Sequence, residues 1–263
     1  MITVLGASGF VGSEVVRHLV RSGAEFDAPP RDADLRGRNL GRVLYCIGLT
    51  ADFRERPYDA VDAHVCKLLE VVRHCTFESL VYLSSTRLYI RNEGVAHEDD
   101  DLRVNPLDFE DIYNLSKATG ESIVLSLGNR GRVARLSNVY GADQKDTFVS
   151  MILEEARTRG TITLRTALDS EKDYISVADA AMLLVKIALD GRERIYNVVG
   201  GYNLTNGEVT AAIAKLTGCT VTVVPDAPAV MFPRLDNSRA RREFGFTPAR
   251  LLDDLPSLIG RNE

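Results

Sequence analysis

A tyrosine and a lysine stand four residues apart in "YNLSK", as Tyr113 and Lys117. The surrounding segment has helical periodicity, so the two side chains share one helix face. A phenol with an ordinary pKa near ~10 is a poor base at neutral pH, and a neighbouring ammonium favours its ionised form. Together they can pass a proton to or from a substrate oxygen. Such a shuttle needs a hydroxyl to hold the reacting oxygen beside the phenol. The stretch "LSSTRLY", Leu83 to Tyr89, offers two serines and a threonine where an apolar run ends. Tyr and Lys at this spacing recur by chance in helices, so their weight comes from what precedes them.

What precedes them is a glycine turn. "VLGASGFVG" places Gly6, Gly9 and Gly12 where a first strand passes into a first helix. Glycines there allow a tight turn, close approach of backbone N–H groups to a pyrophosphate, and close packing of helix on strand. The strand–turn–helix setting is the one a dinucleotide site requires. Gly6, Ser8, Gly9, Phe10, Val11 and Gly12 are therefore expected to bind it. Ribose selectivity is read at the end of the second strand, where an acid accepts the 2′-OH of NAD and an arginine suits the 2′-phosphate of NADP. In "EFDAPPRDADL", Asp27 falls inside the apparent strand and Pro29, Pro30 and Arg31 occupy its end. Arg31 tilts the expected cofactor toward NADP over NAD.

These residues need a rigid carrier, and the rest of the chain describes one. Short β-branched runs alternate with helical patterns: "ITVLG", "GSEVVRHLVRSG", "RVLYCIG", "DAVDAHVCKLLEVVRHC", "SLVYLSS", then "FEDIYNLSKATGESIVLSLG" and "RVARLS". This alternation predicts an α/β fold, a Rossmann-type doubly wound parallel sheet with ligands at the carboxyl ends of its strands. After Gly141 the rhythm loosens into further helix and strand units. Residues 1–142 plus about 176–200 are expected to form the dinucleotide-binding domain, and about 143–175 plus 201–263 a small interleaved substrate-binding region. At 263 residues with 26% charged side chains and a net charge of −5, the chain is enzyme-sized and carries no basic block that would track nucleic acid. No apolar run approaches the ~20 residues of a membrane span. Met1 leads directly into an apolar strand, which leaves no room for a signal peptide, so a cytoplasmic protein is expected. Cys46, Cys66, Cys75 and Cys219 form no C-x-x-C pair, and buried free thiols are expected rather than disulfides or a metal site.

The order of glycine turn, serine-ended strand and Tyr-x-x-x-Lys, with G-x-x-G-x-x-G spacing, resembles the extended branch of the short-chain dehydrogenase/reductase superfamily. Later motifs are similar to its nucleotide-sugar enzymes: "RLSNVYG", "KDYISVAD" and "DNSRARREFGFTP". The resemblance implies that Tyr113 is the acid/base and that Ser85, counted back from Tyr89, is the catalytic hydroxyl, with Thr86 also at the substrate. Tyr113 and Lys117 would lie against the dinucleotide too, the lysine on the nicotinamide ribose. Asp34 and Leu35 resemble an adenine-contacting Asp-Leu pair. Asn138 would contact the substrate's diphosphate. Lys172 stands where the family usually has a phosphate-binding arginine, and lysine lacks its fork. A second such arginine is replaced by Asp226, with Arg234 the nearest substitute. His64 stands where glycine is common, and a packed histidine is expected there. The expected partner is a nucleotide sugar, and by resemblance the helices carrying "DAVDAHVCKLLEVV" and "YNLSKATGESIVL" would pair into a homodimer.

In the 4,6-dehydratases of that family an Asp-Glu pair follows the catalytic hydroxyl, and here Thr86 and Arg87 stand in its place. Dehydration is therefore disfavoured. A reductase taking hydride from NAD(P)H onto a 4-keto sugar and a 4-epimerase retaining NAD both remain, with the shorter chain and Arg31 favouring the reductase. A catalytically idle dinucleotide sensor is a third reading, set against by the presence of both Tyr113 and Lys117.

Overall fold

The structure, a computed structural model, describes residues 1–49, 53–142 and 146–260. Its centre is a six-stranded parallel sheet made of β1 (Ile2–Leu5), β2 (Phe26–Asp27), β3 (Arg42–Tyr45), β4 (Ser79–Ser85), β6 (Gly131–Leu136) and β10 (Ile195–Val198), in the order β10-β6-β4-β3-β1-β2. Between them β5 (Val95–Ala96) forms a separate two-residue strand. The near-continuous apolar strands follow from burial on both faces. Val4, Leu44, Val81, Leu83, Ala134 and Leu136 point to one apolar cluster, which is closed by α1 (Phe10–Ser22) and α6 (Val177–Asp190). Leu5, Val43, Tyr45, Leu80, Tyr82 and Val133 point to the other, closed by α3 (Lys67–His74) and α4 (Asp111–Leu125). A π-helical turn, Asp62–Cys66, joins α2 (Pro57–Val61) to α3.

The chain runs from β1 outward to β2, then returns to β1's other side as β3. The crevice between the carboxyl ends of β1 and β3 is thus the place where strand order reverses, which is where open α/β sheets bind ligands. Strand β2 stops at Asp27, short of the Pro29–Arg31 end expected from its sequence. Pro29 and Pro30 have no N–H to give a ladder, so pairing with β1 ends before them.

A third apolar cluster gathers α5 (Phe148–Arg159), β8 (Thr161–Leu164), α7 (Asn206–Thr217) and α9 (Leu251–Gly260). Strand β12 (Thr220–Val223) pairs with β8, while β7 (Asn138–Tyr140), β9 (Glu171–Ser176) and β11 (Asn203–Thr205) form a three-stranded sheet. Strand β13 (Arg234–Leu235) pairs with β5. Helix α8 (Ser238–Phe244) packs through Ala240, with Phe246 beyond it, on the main sheet's α6 side. The "TNGE" segment opens α7 through a reciprocal cap between Thr205 and Glu208, which satisfies two otherwise orphaned N–H groups.

All four cysteines are free, but only Cys219 is buried and Cys66 is exposed, contrary to the expectation of buried thiols. Cys66 closes the π-helical turn, whose extra residue shifts the helical face. Among the described residues no helix is long and apolar enough to cross a membrane, and no group of three or more His, Cys, Asp or Glu could hold a metal.

Candidate active site

One cleft of about 510 Å³ runs from the glycine turn across the ends of β3, β4 and β6 to the start of α5. It is lined by Gly9, Phe10 and Val11 at one end, by Ser85, Thr86, Tyr113 and Lys117 in the middle, and by Asn138 and Phe148 at the other. Residues far apart in sequence meet there because each sits at the carboxyl end of a strand or on the first turns of the helix packed over it.

The turn requires its glycines. Gly6 has φ +85°, and a Cβ on it would lie 2.9 Å from the carbonyl carbon of Cys46. A Cβ on Gly12 would drive into the Gly6 carbonyl oxygen. Helix α1 begins at Phe10 with Gly9 as its cap, and the N–H groups of its first turn have no acceptor within the helix. A bare backbone cradle at a helix N-terminus, opening into a cleft of this size, fits the diphosphate of NAD or NADP. Ser8 is exposed at the apex of the turn.

Ser85 ends β4, and its Oγ accepts the Arg87 N–H at 3.2 Å, capping the short 3-10 turn Thr86–Tyr89. Its own proton is left for a substrate oxygen. Tyr113 is only 2% exposed, with its ring 4.8 Å from Phe53 and 5.3 Å from the edge-on ring of His64. Lys117 Nζ donates to the Leu83 carbonyl at 2.8 Å and lies 5.1 Å from the Tyr82 ring. Burial pushes the Lys117 ammonium down to about 7, partly offset by the Glu121 carboxylate. This lysine can therefore exist in either charge state near neutrality. A phenol, an ammonium and a hydroxyl around one apolar-walled space can deliver or accept a proton at an oxygen.

His64 is completely buried. Its Nδ1 meets Ser116 Oγ at 2.9 Å, and Ser116 Oγ donates to the Tyr113 carbonyl at 2.8 Å. Nδ1 must then carry the proton, leaving Nε2 to accept the Leu49 N–H at 3.3 Å. Burial and the Lys117 charge lower its pKa to about 2, so it stays neutral. The packed histidine expected from sequence is packed against α4, the helix that carries Tyr113 and Lys117.

Several expected residues lie elsewhere. Lys172 is outside the cleft lining, with Nζ 4.7 Å from the ring of Phe148, which does line it. Burial and the charges of Arg87 and Arg54 lower the Lys172 pKa. Arg234 is exposed on β13, which pairs with β5, and is not among the cleft-lining residues, although Phe232 two positions before it is. Asp226 is exposed in a turn at φ 55°. Arg31 and Asp34 are exposed and Leu35 packs under the sheet, so none of the three lines the cleft. Asp27, at the true end of β2, is held by Arg38 at 2.7 Å. Asn138 does line the cleft while donating to the Asp173 carbonyl at 2.9 Å. The Asp173 carboxylate takes the N–H groups of Gly200, Gly201 and Tyr202, so this motif residue ties β9 to the loop after β10.

The residues that sequence reasoning missed cluster beside Ser85. Arg87 lines the cleft, its guanidinium 5.3 Å from the Phe53 ring. Glu110 accepts from Arg87 at 2.5 Å and from both Nε and Nη2 of Arg54, at 2.7 and 2.9 Å. The two arginines hold Glu110 below the usual carboxylate range. Arg87 adjoins the serine motif and was legible there only as a missing acid. Nothing in the spacing of Arg54 and Glu110 announces their meeting.

A profile of the NAD dependent epimerase/dehydratase family matches residues 39–199. The chain belongs to this family. It is similar to a dTDP-4-dehydro-6-deoxy-D-allose reductase from a Streptomyces species, at 25% identity over 96% of this chain and 87% of the relative. It is likewise similar to the dTDP-glucose 4,6-dehydratase of Streptomyces griseus, at 26% identity over 96% of this chain and 90% of that protein. Among solved structures, RMD from Pseudomonas aeruginosa complexed with NADPH superimposes with a TM-score of 0.77 at 19% identity, covering 98% of both chains. MoeE5 in complex with UDP-glucose and NAD superimposes at 0.78 and 24% identity, covering 98% of this chain and 97% of that one. The Rossmann-type fold expected from the strand–helix alternation is the fold of this family member.

Proposed function

We propose that the protein is an NAD(P)-dependent oxidoreductase of nucleotide-linked sugars that reduces a 4-keto sugar. The observation that carries this reading is the meeting of Ser85, Tyr113 and Lys117 in one cleft with the glycine turn. NADPH, when bound in that cleft, supplies the hydride to the ketone carbon. Ser85 donates its remaining proton as a hydrogen bond to the ketone oxygen. Tyr113 transfers its phenolic proton to that oxygen as the alcohol forms, and the Lys117 ammonium stabilises the phenolate left behind. The phenolate then regains a proton from solvent, so one hydride and one proton convert the C=O into CH–OH. Asn138 and Lys172 are the proposed diphosphate contacts. Arg234, exposed on β13, carries no step in this reading.

Dehydration fits less well. Thr86 and Arg87 follow Ser85, and the nearby Glu110 carboxylate is doubly tied to arginines and kept ionised. NADP is favoured over NAD because the acid at the end of β2, Asp27, is neutralised by Arg38 while Arg31 stands exposed beyond it. We keep Gly6, Ser8, Gly9, Phe10, Val11 and Gly12 as the dinucleotide cradle. The division into residues 1–142 plus about 176–200 and about 143–175 plus 201–263, the homodimer and the cytoplasmic location belong to the same reading.

A 4-epimerase would use the same three groups, and one relative is a putative UDP-glucose 4-epimerase of Methanocaldococcus jannaschii, at 25% identity. Mass spectrometry of nucleotide released from freshly purified protein separates the two. Exchangeable NADPH, consumed with a nucleotide-linked 4-keto hexose, is the expected result. Tightly retained NAD that never exchanges overturns the reductase.

A further inference from the structure

We infer that Arg87 binds a carboxylate carried on the substrate's sugar, so that the cleft selects a nucleotide-linked hexuronate over a neutral hexose. This rests on the reading of the cleft as a nucleotide-sugar site, and it concerns which sugar is taken rather than what is done to it.

Arg87 belongs to the turn that starts at Ser85, and its backbone N–H is bonded to Ser85 Oγ at 3.2 Å. Its guanidinium lies over Phe53, whose ring packs 4.8 Å from that of Tyr113. Phe53 thus touches both the cation and the phenol ring, and all three line one cleft. In a hexose the ring neighbours of C4 are C3 and C5, whereas the diphosphate leaves from C1 across the ring. A group near Ser85 and Tyr113 can meet the substituents on C3 and C5, and of these only the C5 substituent can be a carboxylate.

The Arg87 guanidinium is only partly satisfied. Glu110 is shared by Arg87 and by both nitrogens of Arg54's fork. One carboxylate thus faces two guanidinium groups. Among the described residues the one bond to Arg87's guanidinium is Glu110 on Nη2, and its buried Nε has no hydrogen-bond partner there. A buried donor without an acceptor is a standing cost, relieved by a ligand that brings an oxygen to it. Lys172 lies close enough for Arg87 and Arg54 to disfavour its charge, while Asp108 lies within reach of Arg87 and Asp146 lines the cleft, so it is the open guanidinium edge and not a net charge that invites an anion. A planar carboxylate suits a guanidinium edge better than the hydroxyl or methyl of a neutral sugar does.

The test is calorimetric titration of protein loaded with NADPH, so that an already reduced sugar cannot lose hydride. The ligands are UDP- and dTDP-glucuronate, UDP- and dTDP-glucose, and bare UDP and dTDP. The glucuronate form is expected to bind about tenfold or more tightly than the glucose form on the same nucleotide. Arg87→Met should bring the two within about twofold of each other while leaving glucose forms and bare diphosphates unchanged. Equal binding of both sugars by the parent protein overturns the proposal. So does an Arg87→Met variant that weakens all ligands alike, because the guanidinium would then serve the diphosphate. Failure of every diphosphate ligand to bind NADPH-loaded protein overturns the nucleotide-sugar reading itself. Should Arg87→Met not fold, Glu110→Gln carries the test in the opposite direction. Releasing both arginines should tighten the glucuronate form alone, and an even or absent change counts against the inference.

Discussion

The two ends of the cleft are built differently. At the sheet end, side chains are tied to backbone: Ser85 to the Arg87 amide, Lys117 to the Leu83 carbonyl, and, behind them, His64 to the Leu49 amide. The far end begins at the Arg87 side chain, two residues past Ser85, and its groups are long side chains tied to one another, as in Arg54, Glu110 and Arg87, or resting on rings, as in Lys172 on Phe148. Backbone anchoring fixes where a proton can go, while side chains on turns can change without moving the sheet. On the proposed reading the first end carries the chemistry and the second selects the sugar.

The sharpest way to break that division is Tyr113→Phe. Loss of the phenolic proton should lower turnover by about 10²–10⁴-fold, while NADPH still binds by calorimetry. Unchanged turnover would remove the chemistry from the sheet end altogether. Gly12→Ala comes next, since its methyl collides with the Gly6 carbonyl. Overpacking of about 1–3 kcal/mol should appear as a lower melting temperature and weaker dinucleotide binding by calorimetry, with sugar selectivity among the surviving molecules unaltered.

The third test is pH. Burial lowers Lys117 to about 7 in the unliganded protein, so the ammonium is present below that pH and lost above it. Reductive kcat/KM, which reports ionisations of the free enzyme, should therefore fall as pH rises through about 7. Lys117→Arg keeps its charge throughout this range and should show a flat profile at lower overall activity. Persistence of the alkaline fall in that variant would assign it to another group.

The two ends were also unequally legible. Gly6, Gly9 and Gly12, the serine-ended strand and Tyr113 with Lys117 are local patterns, because a tight turn, a strand end and one helix face are each specified by a few neighbouring residues. Gly9, Ser85, Tyr113 and Lys117 line one cleft, and Gly6 and Gly12 shape the turn beside it. The adenine side was read less well, since Pro29 and Pro30 end pairing early and leave Asp27, not Arg31, at the end of β2. The far end was hardly legible at all. Arg54 and Glu110 are 56 positions apart, and their meeting depends on how a loop and the start of α4 pack together, which no periodicity encodes. Lys172 was found by motif, yet its contact with Phe148 depends on packing between β9 and α5.

His64 gives the smallest expected effect and the finest discrimination between the ends. It joins three elements: the π-helical turn that carries it, the loop after β3 through Leu49, and α4 through Ser116. It touches Tyr113 only ring to ring, and it stays neutral, so it contributes position rather than a proton. His64→Ala leaves the Leu49 amide without its acceptor and removes Ser116's donor. A stability loss of about 1–3 kcal/mol follows from such unmade bonds, measurable as a lower midpoint in urea. Because Leu49 and Tyr113 both line the cleft, kcat should fall by a few-fold, roughly the effect of a slightly misplaced group. The sugar's KM should hold, since no contact at the far end depends on His64. His64→Gln, which offers both a donor and an acceptor, should recover part of the kcat. A His64→Ala variant that raised KM with kcat intact would mean that the sheet end also holds the sugar, and the division between the two ends would fail at its most buried point.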